Sequence, residues 1–169
     1  MEVKEFLIKT LERAEVYLNE STNDLTLEEM KWRPGLQANP IGFILWHLTR
    51  GEDRFVANIQ QKPQVWEDPA WPNSLNLPPD PNISGFGFTS EQVAAFPVPP
   101  LESLLRYHKA VRERTLSLIQ SMTPADFDRV IEHPRLGKTT TGELFARIVV
   151  EISQHTGQIN YLRGLKRSQ

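Results

Sequence analysis

Prolines are distributed so unevenly in this chain that they restrict where regular structure can form. Nine of the thirteen prolines lie between Pro63 and Pro100. Because proline has no amide hydrogen and clashes with the preceding turn of a helix, we expect most of this stretch to be an irregular connection. A short helix is predicted inside it at Thr89 to Ala95, where a capping box can form. Aromatic side chains favour packing of the connection against the rest of the protein over a free loop; they are Trp66, Trp71 and Phe86.

Long segments with helical spacing of apolar residues flank this connection. Two precede it and two follow it, and almost no segment alternates apolar and polar residues as a half-buried strand would. The pattern predicts an all-α fold, an antiparallel four-helix bundle in a single domain over residues 1–169, with the long Pro-rich connection between helices two and three. The long helices are expected from Val3 to about Asn19, from Pro40 to about Gln60 with Asn39 as the cap, from Leu101 to Ile119, and from Thr141 to about Gly164.

Shorter elements are marked by residues that favour helix starts. A threonine followed three residues later by glutamate satisfies two backbone donors at a helix start, and this spacing begins at Thr26 and at Thr140. Thr123 followed by Pro124 is a cap with proline in the first helical position. Short helices are therefore expected after Thr26 and Thr123, and the last long helix after Thr140. The stretch from Glu132 to Thr139 is expected to be a loop.

The composition is that of a globular protein and excludes several functional classes. Hydrophobic residues make up 39% of the chain, and the formal net charge is −2. No dense Lys/Arg block occurs apart from Arg163 to Arg167, so we expect no nucleic-acid partner. No segment resembles a signal peptide or a membrane span, which favours a cytoplasmic protein with no membrane partner. The chain has no cysteine, so any thiol chemistry needs a thiol from outside.

Two distant segments carry residues that can form a metal site. Glu151 and His155 are four residues apart, so both side chains can converge on one point beside the last helix. Glu151 lies in the otherwise apolar run from Ile148 to Ile152, which indicates a partly buried carboxylate that is costly without a cation. His47, in the second long helix, can supply a third ligand. Two imidazoles and one carboxylate match open catalytic zinc sites and the facial triad of non-haem iron.

The motifs around these residues resemble the DinB-like superfamily of four-helix metalloproteins. The resemblance covers nearly the whole chain and rests on the segment NPIGFILWHL with the following Glu52, on Thr-Thr-Gly-Glu-Leu before the last helix, and on HTGQINYLRG from His155 to Gly164. In that family one histidine of the second helix and two ligands four apart on the last helix bind a divalent metal, which implies His47, Glu151 and His155 here. The commonest family pattern has histidine where Glu151 stands. The His-Glu-His version resembles the mycothiol-dependent maleylpyruvate isomerase branch, which implies zinc, with nickel or iron as alternatives.

This resemblance also implies an activity. Related enzymes use a low-molecular-weight thiol such as bacillithiol or mycothiol, as S-transferases acting on an electrophilic substrate or as thiol-dependent isomerases, in detoxification or stress response. Two alternatives stay open: a non-catalytic metal-binding or interaction protein of the same fold, and a metal-dependent hydrolase with water as the nucleophile. A homodimer is expected by analogy with helical relatives, although no surface stripe in the sequence establishes it.

Three further residues are expected to contact substrate or to support the ligands, and each has a structural alternative. Arg54 lies two turns beyond His47 on the same face, and in the structural alternative either Arg54 or Arg147 pairs with Glu151. His108 falls on the apolar stripe of the third long helix, which favours a hydrogen-bonded core residue over a neighbour of the site. Gln158 lies one turn beyond His155, and its alternative is a hydrogen bond between helices. In the structural alternative to a metal site, His47 is a core histidine bonded to a backbone group.

Overall fold

Four long helices carry most of the chain in the computed structural model, which describes all 169 residues. Shorter elements join them, and a two-stranded hairpin precedes the last helix. The expected all-α four-helix bundle is confirmed. The elements are α1 (Val3–Thr22), α2 (Leu27–Lys31), α3 (Ile41–Gln60), a 3-10 turn (Val65–Glu67), α4 (Ala70–Leu75), α5 (Ser90–Ala94), α6 (Leu101–Ser121), α7 (Pro124–Phe127), β1 (Val130–His133), β2 (Gly137–Thr140) and α8 (Thr141–Arg167).

Capping residues start the helices largely as their spacing predicts. Capping boxes are present at Thr26, Thr89, Thr123 and Thr140. The expected cap of α3 is wrong, because Pro40 occupies the cap position and no side chain bonds to the first turn. Helix α4 is an addition that the proline content had argued against. It tolerates Pro72 because that residue lies in the first turn, where amide hydrogens have no partner within the helix.

The expected arrangement with all neighbouring helices antiparallel is not found, because the long connection lets two neighbouring long helices run parallel. Contacts between α3 and α6 advance together along both helices, from Thr49 with His108 to Glu52 with Thr115. These two helices therefore run parallel, whereas α1 runs antiparallel to α6, with Lys4 near Met122. A parallel neighbour requires the chain to return along the bundle before the next helix begins. The Pro-rich connection makes that return.

The core consists of two apolar halves separated by a buried polar layer. One half contains Trp46 and Trp66, and the other contains Phe145. Between them, the Arg112 guanidinium donates to both Glu52 carboxylate oxygens at 2.9 Å. Charged groups this deeply buried need such full pairing. Trp46 is almost fully buried in the first of these halves.

Two charged residues of α3 attach the Pro-rich connection to the bundle. The Asp53 carboxylate accepts hydrogen bonds from the backbone N–H groups of Val65 and Trp66 at 2.8 and 3.0 Å. The Arg50 guanidinium donates to the carbonyls of Pro81 and Ile83 at 2.8 and 3.1 Å. Both side chains are buried, and these bonds hold the connection at two separate places. Its position over α3 is therefore defined, in agreement with the expectation that it packs against the body.

The segment from Glu132 to Thr139, expected to be a loop, is largely a β-hairpin. Strand β1 pairs antiparallel with β2, with Val130 opposite Thr140 and His133 opposite Gly137. Gly137 has a φ of +70°, a conformation that glycine adopts without the steric cost paid by other residues. The loop expectation is wrong because Val130 and Ile131 have high strand propensity and Gly137 permits the turn that pairs them with β2.

No helix combines the length and the apolar composition needed to cross a membrane.

Candidate metal centre

Packing of α3 against α8 brings His47 next to the residue pair of the last helix. The imidazole rings of His47 and His155 have centroids 5.1 Å apart and are nearly perpendicular. One ligand atom from each of His47, Glu151 and His155 lies within 4.8 Å of the others. The structure therefore brings together the three residues that the sequence singled out, although more than a hundred residues separate His47 from the other two.

The His47 ring is oriented by the Pro-rich connection. Its Nδ1 lies 2.6 Å from the carbonyl oxygen of Ser84. A carbonyl can only accept, so Nδ1 carries the hydrogen and Nε2 keeps a free lone pair. The ring also stacks parallel to Phe43, one turn earlier on α3. Burial lowers the pKa of His47 below its usual value, and the Ser84 hydrogen bond opposes that effect in part.

The His155 ring is oriented by its own helix. Its Nδ1 lies 2.8 Å from Oε1 of Gln158, which accepts the hydrogen bond. His155 Nε2 is buried and has no hydrogen-bond partner. Oε2 of Glu151 lies 3.2 Å from this nitrogen, but not in a direction that makes a hydrogen bond. A buried nitrogen without a partner is unusual in a folded protein, so this atom is available to a ligand.

The residues present fit a divalent metal. Each imidazole offers an Nε2 lone pair, and Glu151 offers a carboxylate oxygen. All three groups are hydrogen-bond acceptors, and none of them carries a hydrogen that it could donate to another. Histidine ligands of metals commonly donate their other N–H to an oxygen acceptor, as His47 and His155 do. Zinc bonds of about 2.0 to 2.1 Å place ligand atoms roughly 3.4 Å apart in a tetrahedral site. The three ligand atoms here lie within 4.8 Å of one another, so binding of a metal would require side-chain movement on the order of 1 Å, for which the exposed Glu151 side chain has room.

The expectation that Glu151 is partly buried is wrong. Its side chain is 50% exposed, and the adjacent Val150 is also exposed. Of the apolar run around it, Ile148 and Ile152 face the core, because the helical period turns Val150 and Glu151 away from it. Desolvation of the carboxylate therefore gives no argument for a cation. The orientation of the two histidine rings is the feature that favours a metal ion at this cluster.

A cavity of about 90 Å³ opens beside the cluster. At about 30 Å³ for each water molecule, it has room for a small functional group. A Cβ added to Gly51 would meet no atom within 4 Å, so this glycine leaves open space at the cavity. The cavity is lined by His47 and Glu151 together with Leu48, Gly51, Arg54, Phe55, Ser84, Phe86, His133 and Arg135.

Of the three residues that were expected to support the site, two lie at it and one lies in the core. Arg54 lines the cavity and donates to Ser84 Oγ at 2.9 Å, so it does not pair with Glu151. Gln158 accepts a hydrogen bond from Nδ1 of His155, one of the candidate ligands. His108 is a buried core residue that bonds to Thr49 and to Glu15, as the favoured alternative had it.

Four cavity residues outside the long helices were not expected at the site from the sequence. His133 and Arg135 reach the cavity through the hairpin, and Ser84 and Phe86 reach it through the connection. Recognition of a hairpin between Val130 and Thr140 would have drawn attention to the first two. Nothing in the local sequence indicates that the Ser84 carbonyl meets His47.

Comparison with known proteins agrees with this architecture. A family model described as the DinB superfamily matches residues 10–159. The crystal structure of a conserved protein from Enterococcus faecalis superposes with a TM-score of 0.87 at 22% identity, covering 100% of this chain and 99% of that one. At that identity the likeness establishes the fold. No curated protein matches the chain in sequence. The protein belongs to the DinB superfamily.

Proposed function

We propose that this protein is a metal-dependent enzyme that joins a low-molecular-weight thiol to an electrophilic substrate. The observation that carries the proposal is the pair of histidines whose Nδ1–H groups are held by Ser84 and Gln158, so that both Nε2 lone pairs lie beside Glu151. Three protein ligands leave coordination positions open for a substrate. A divalent ion bound there favours the deprotonated form of a coordinated thiol near neutral pH.

The proposed reaction balances in atoms and electrons. The thiol loses its proton to solvent, its sulfur forms a bond to carbon, and the leaving group departs with the electron pair of the bond that breaks. With chlorodinitrobenzene as electrophile, a carbon–sulfur bond replaces the carbon–chlorine bond and chloride leaves. The chain has no cysteine, so the sulfur comes from the co-substrate. An isomerase of the same class would use the thiol and then release it.

Zinc is the metal that the ligand types favour, with nickel or iron as alternatives. Two neutral imidazoles and one carboxylate occur in catalytic zinc sites and also in non-haem iron sites. Elemental analysis of the protein purified without chelator identifies the metal. Titration of metal-free protein with each ion then ranks the affinities.

Substitution of a ligand tests the metal site itself. We expect His155→Ala to abolish stoichiometric metal binding and to remove the increase in melting temperature that metal produces in the wild type, since a ligand that binds only the folded state stabilises it. Gln154→Ala is the matched control, because this exposed residue lies beside His155 on α8. Unchanged metal content in His155→Ala would show that the ligand assignment is wrong.

Turnover tests the enzymatic part of the proposal. We expect the metal-loaded protein to accelerate chlorodinitrobenzene conjugation with at least one member of a panel of bacillithiol, mycothiol and simpler thiols, and we expect His155→Ala to be inactive. Metal binding without thiol turnover would overturn the transferase and favour the hydrolytic or non-catalytic member of the family. A homodimer and a cytoplasmic location stay predictions, and light scattering on the purified protein tests the first.

A further inference from the structure

Two arginines at the cavity have no acidic partner. Arg54 donates through one nitrogen to Ser84 Oγ at 2.9 Å and to the Asn82 carbonyl at 3.4 Å. The Arg135 guanidinium lies over the Phe86 ring, 3.7 Å from its centroid. Neither forms an ion pair with a carboxylate, in contrast to the buried Arg112, which pairs with Glu52.

His133 adds a neutral donor beside them. Its Nδ1 accepts hydrogen bonds from the backbone N–H groups of Arg135 and Leu136, each at 3.2 Å. Nδ1 therefore has no hydrogen, and Nε2 carries it. Contact with the Phe55 ring, at a centroid distance of 5.4 Å, holds the imidazole against α3. His133 lines the cavity together with both arginines.

The surroundings of these arginines carry excess positive charge. Burial lowers the pKa of Arg54, and the nearby positive charges of Arg50 and Arg135 lower it further, while Asp80 opposes them. Glu151 is the one acidic residue that lines the cavity, and its carboxylate belongs to the candidate metal ligands. A divalent ion would make the site more positive, so the cavity favours an anion.

The shape of the site indicates which anion fits. A guanidinium presents parallel N–H groups that match the two oxygens of a carboxylate. The cavity of about 90 Å³ admits a carboxylate with a few carbon atoms, and both arginines also line an adjoining groove of about 460 Å³. Four side-chain amides line that groove and can bond to hydroxyl or amide groups of a longer ligand; they come from Asn58, Gln61, Gln64 and Asn82.

We propose that Arg54 and Arg135 bind a carboxylate of the thiol substrate while its sulfur reaches the centre formed by His47, Glu151 and His155. This inference rests on the proposed function and specifies its substrate class as a mercapto acid with a polar remainder. The cation–π contact with Phe86 orients Arg135 without neutralising it. Its charge therefore remains available to the substrate.

Binding of three small probes tests the inference. 3-Mercaptopropionate carries sulfur and carboxylate, 2-mercaptoethanol lacks the carboxylate, and propionate lacks the sulfur. With cobalt-loaded protein, we expect 3-mercaptopropionate to bind at least about 10-fold more tightly than 2-mercaptoethanol by calorimetry, since charge-assisted hydrogen bonds are strong. Arg135→Gln should remove most of this difference and leave the affinity for 2-mercaptoethanol unchanged.

Two further variants make the test specific. Arg54→Gln should act in the same direction, but Arg54 also bonds to Ser84, so its metal content must be checked first. Arg106→Gln is the matched control, because this exposed arginine pairs with Glu102 on α6 far from the cavity residues. Equal affinities of wild type for the two thiols, or a carboxylate preference that survives both cavity substitutions, would overturn the inference.

Spectroscopy separates this inference from the proposed function. Contact of sulfur with cobalt produces a charge-transfer absorption band, whereas propionate bound at the arginines does not. The band with both thiols, but no arginine-dependent preference, would overturn the subsite and leave the thiol function standing. Arginine-dependent binding of propionate without a band for either thiol would overturn the thiol function while the carboxylate subsite stands.

Discussion

At the scale of single residues, the candidate metal site depends on which ring nitrogen of His47 and of His155 carries the hydrogen. His47 Nδ1 is held by a backbone carbonyl and His155 Nδ1 by a side-chain amide. These bonds select the tautomer in which Nε2 can act as a ligand. The candidate metal site therefore depends on Ser84 and Gln158 as well as on its three candidate ligands.

Removal of the Gln158 amide should weaken metal binding without removing a ligand. We expect Gln158→Ala to reduce zinc affinity by roughly 10- to 100-fold, because partners that orient histidine ligands typically contribute that much. Competition with a chromophoric chelator measures the dissociation constant. Asn160→Ala, an exposed position on the same helix, should leave it unchanged. A wild-type dissociation constant in Gln158→Ala would show that His155 needs no such support.

At the scale of elements, the Pro-rich connection is part of the site because of how closely it approaches α3. Gly85 has a φ of +82°, and a Cβ on it would lie 2.6 Å from Cζ of Phe43 and 3.0 Å from Cζ3 of Trp46. The adjacent Ser84 carbonyl is the one that holds His47. Close packing at Gly85 therefore positions a contact of the candidate metal centre.

Gly85→Ala should disturb both stability and metal binding. Backbone strain and overpacking together are expected to lower the free energy of unfolding by about 2 to 4 kcal/mol, and displacement of Ser84 should weaken zinc binding. Gly87→Ala is the matched control, since Gly87 has a φ of +77° but open space around it. It should lose about 1 to 2 kcal/mol from strain alone and bind zinc normally. Urea unfolding measures the first effect. Equal losses in the two variants would contradict the packing argument.

The contact between α2 and the end of α8 should make stability depend on acid. A hydrogen bond from Arg167, followed by the Thr26 backbone N–H of the capping box, lowers the pKa of Glu29 to about 2. A carboxyl with a lowered pKa in the folded state stabilises the protein above its unfolded pKa of about 4.5 and loses that effect as pH falls towards 2.

The variant Glu29→Gln isolates this effect. The free energy of unfolding of the wild type should fall more steeply than that of Glu29→Gln as the pH is lowered from about 4.5 to about 2. Urea titrations at several pH values measure both slopes. The exposed Glu12 serves as control, because Glu12→Gln should follow the wild type. Parallel curves for wild type and Glu29→Gln would show that the ion pair with Arg167 contributes nothing to folding.

At the scale of the whole molecule, the buried polar layer connects three of the four long helices. Arg112 of α6 donates to Glu52 of α3 and to the Leu11 carbonyl of α1, and Thr115 also donates to Glu52. Burial raises the pKa of Glu52, but the charge and hydrogen bonds of Arg112 outweigh it and leave the pKa lowered. The layer thus holds a charged pair between two apolar halves of the core.

Loss of one partner of this pair should cost more than loss of both. We expect Arg112→Met to lower the free energy of unfolding by about 3 to 5 kcal/mol, because Glu52 is left buried without a cation. The double variant with Glu52→Leu should recover a large part of that loss, since no buried charge remains. Urea unfolding of the two single variants and the double variant measures the coupling. Strictly additive losses would contradict the pairing.

The helices, their capping residues and the Glu151–His155 spacing could be predicted from the sequence because each depends on residues within about one turn of one another. His47 was predicted as the third ligand from its residue type and its place in the second long helix, and the family resemblance implies the same residue. Exposure of Glu151 was mispredicted because an apolar run on a helix spans several faces. The short strands were missed because their pairing depends on a turn that brings distant backbone groups together.

The sequence by itself determined where the four long helices lie, that they form a bundle, and which three residues are candidate ligands. Tertiary structure alone decided the rest: that α3 and α6 run parallel, that the Ser84 carbonyl meets His47, and that the hairpin brings Arg135 to the cavity beside Arg54. The physical reason is the distance along the chain between the residues that interact. Helix formation and capping depend on neighbours in the chain, whereas contacts between residues tens of positions apart depend on how the whole core packs.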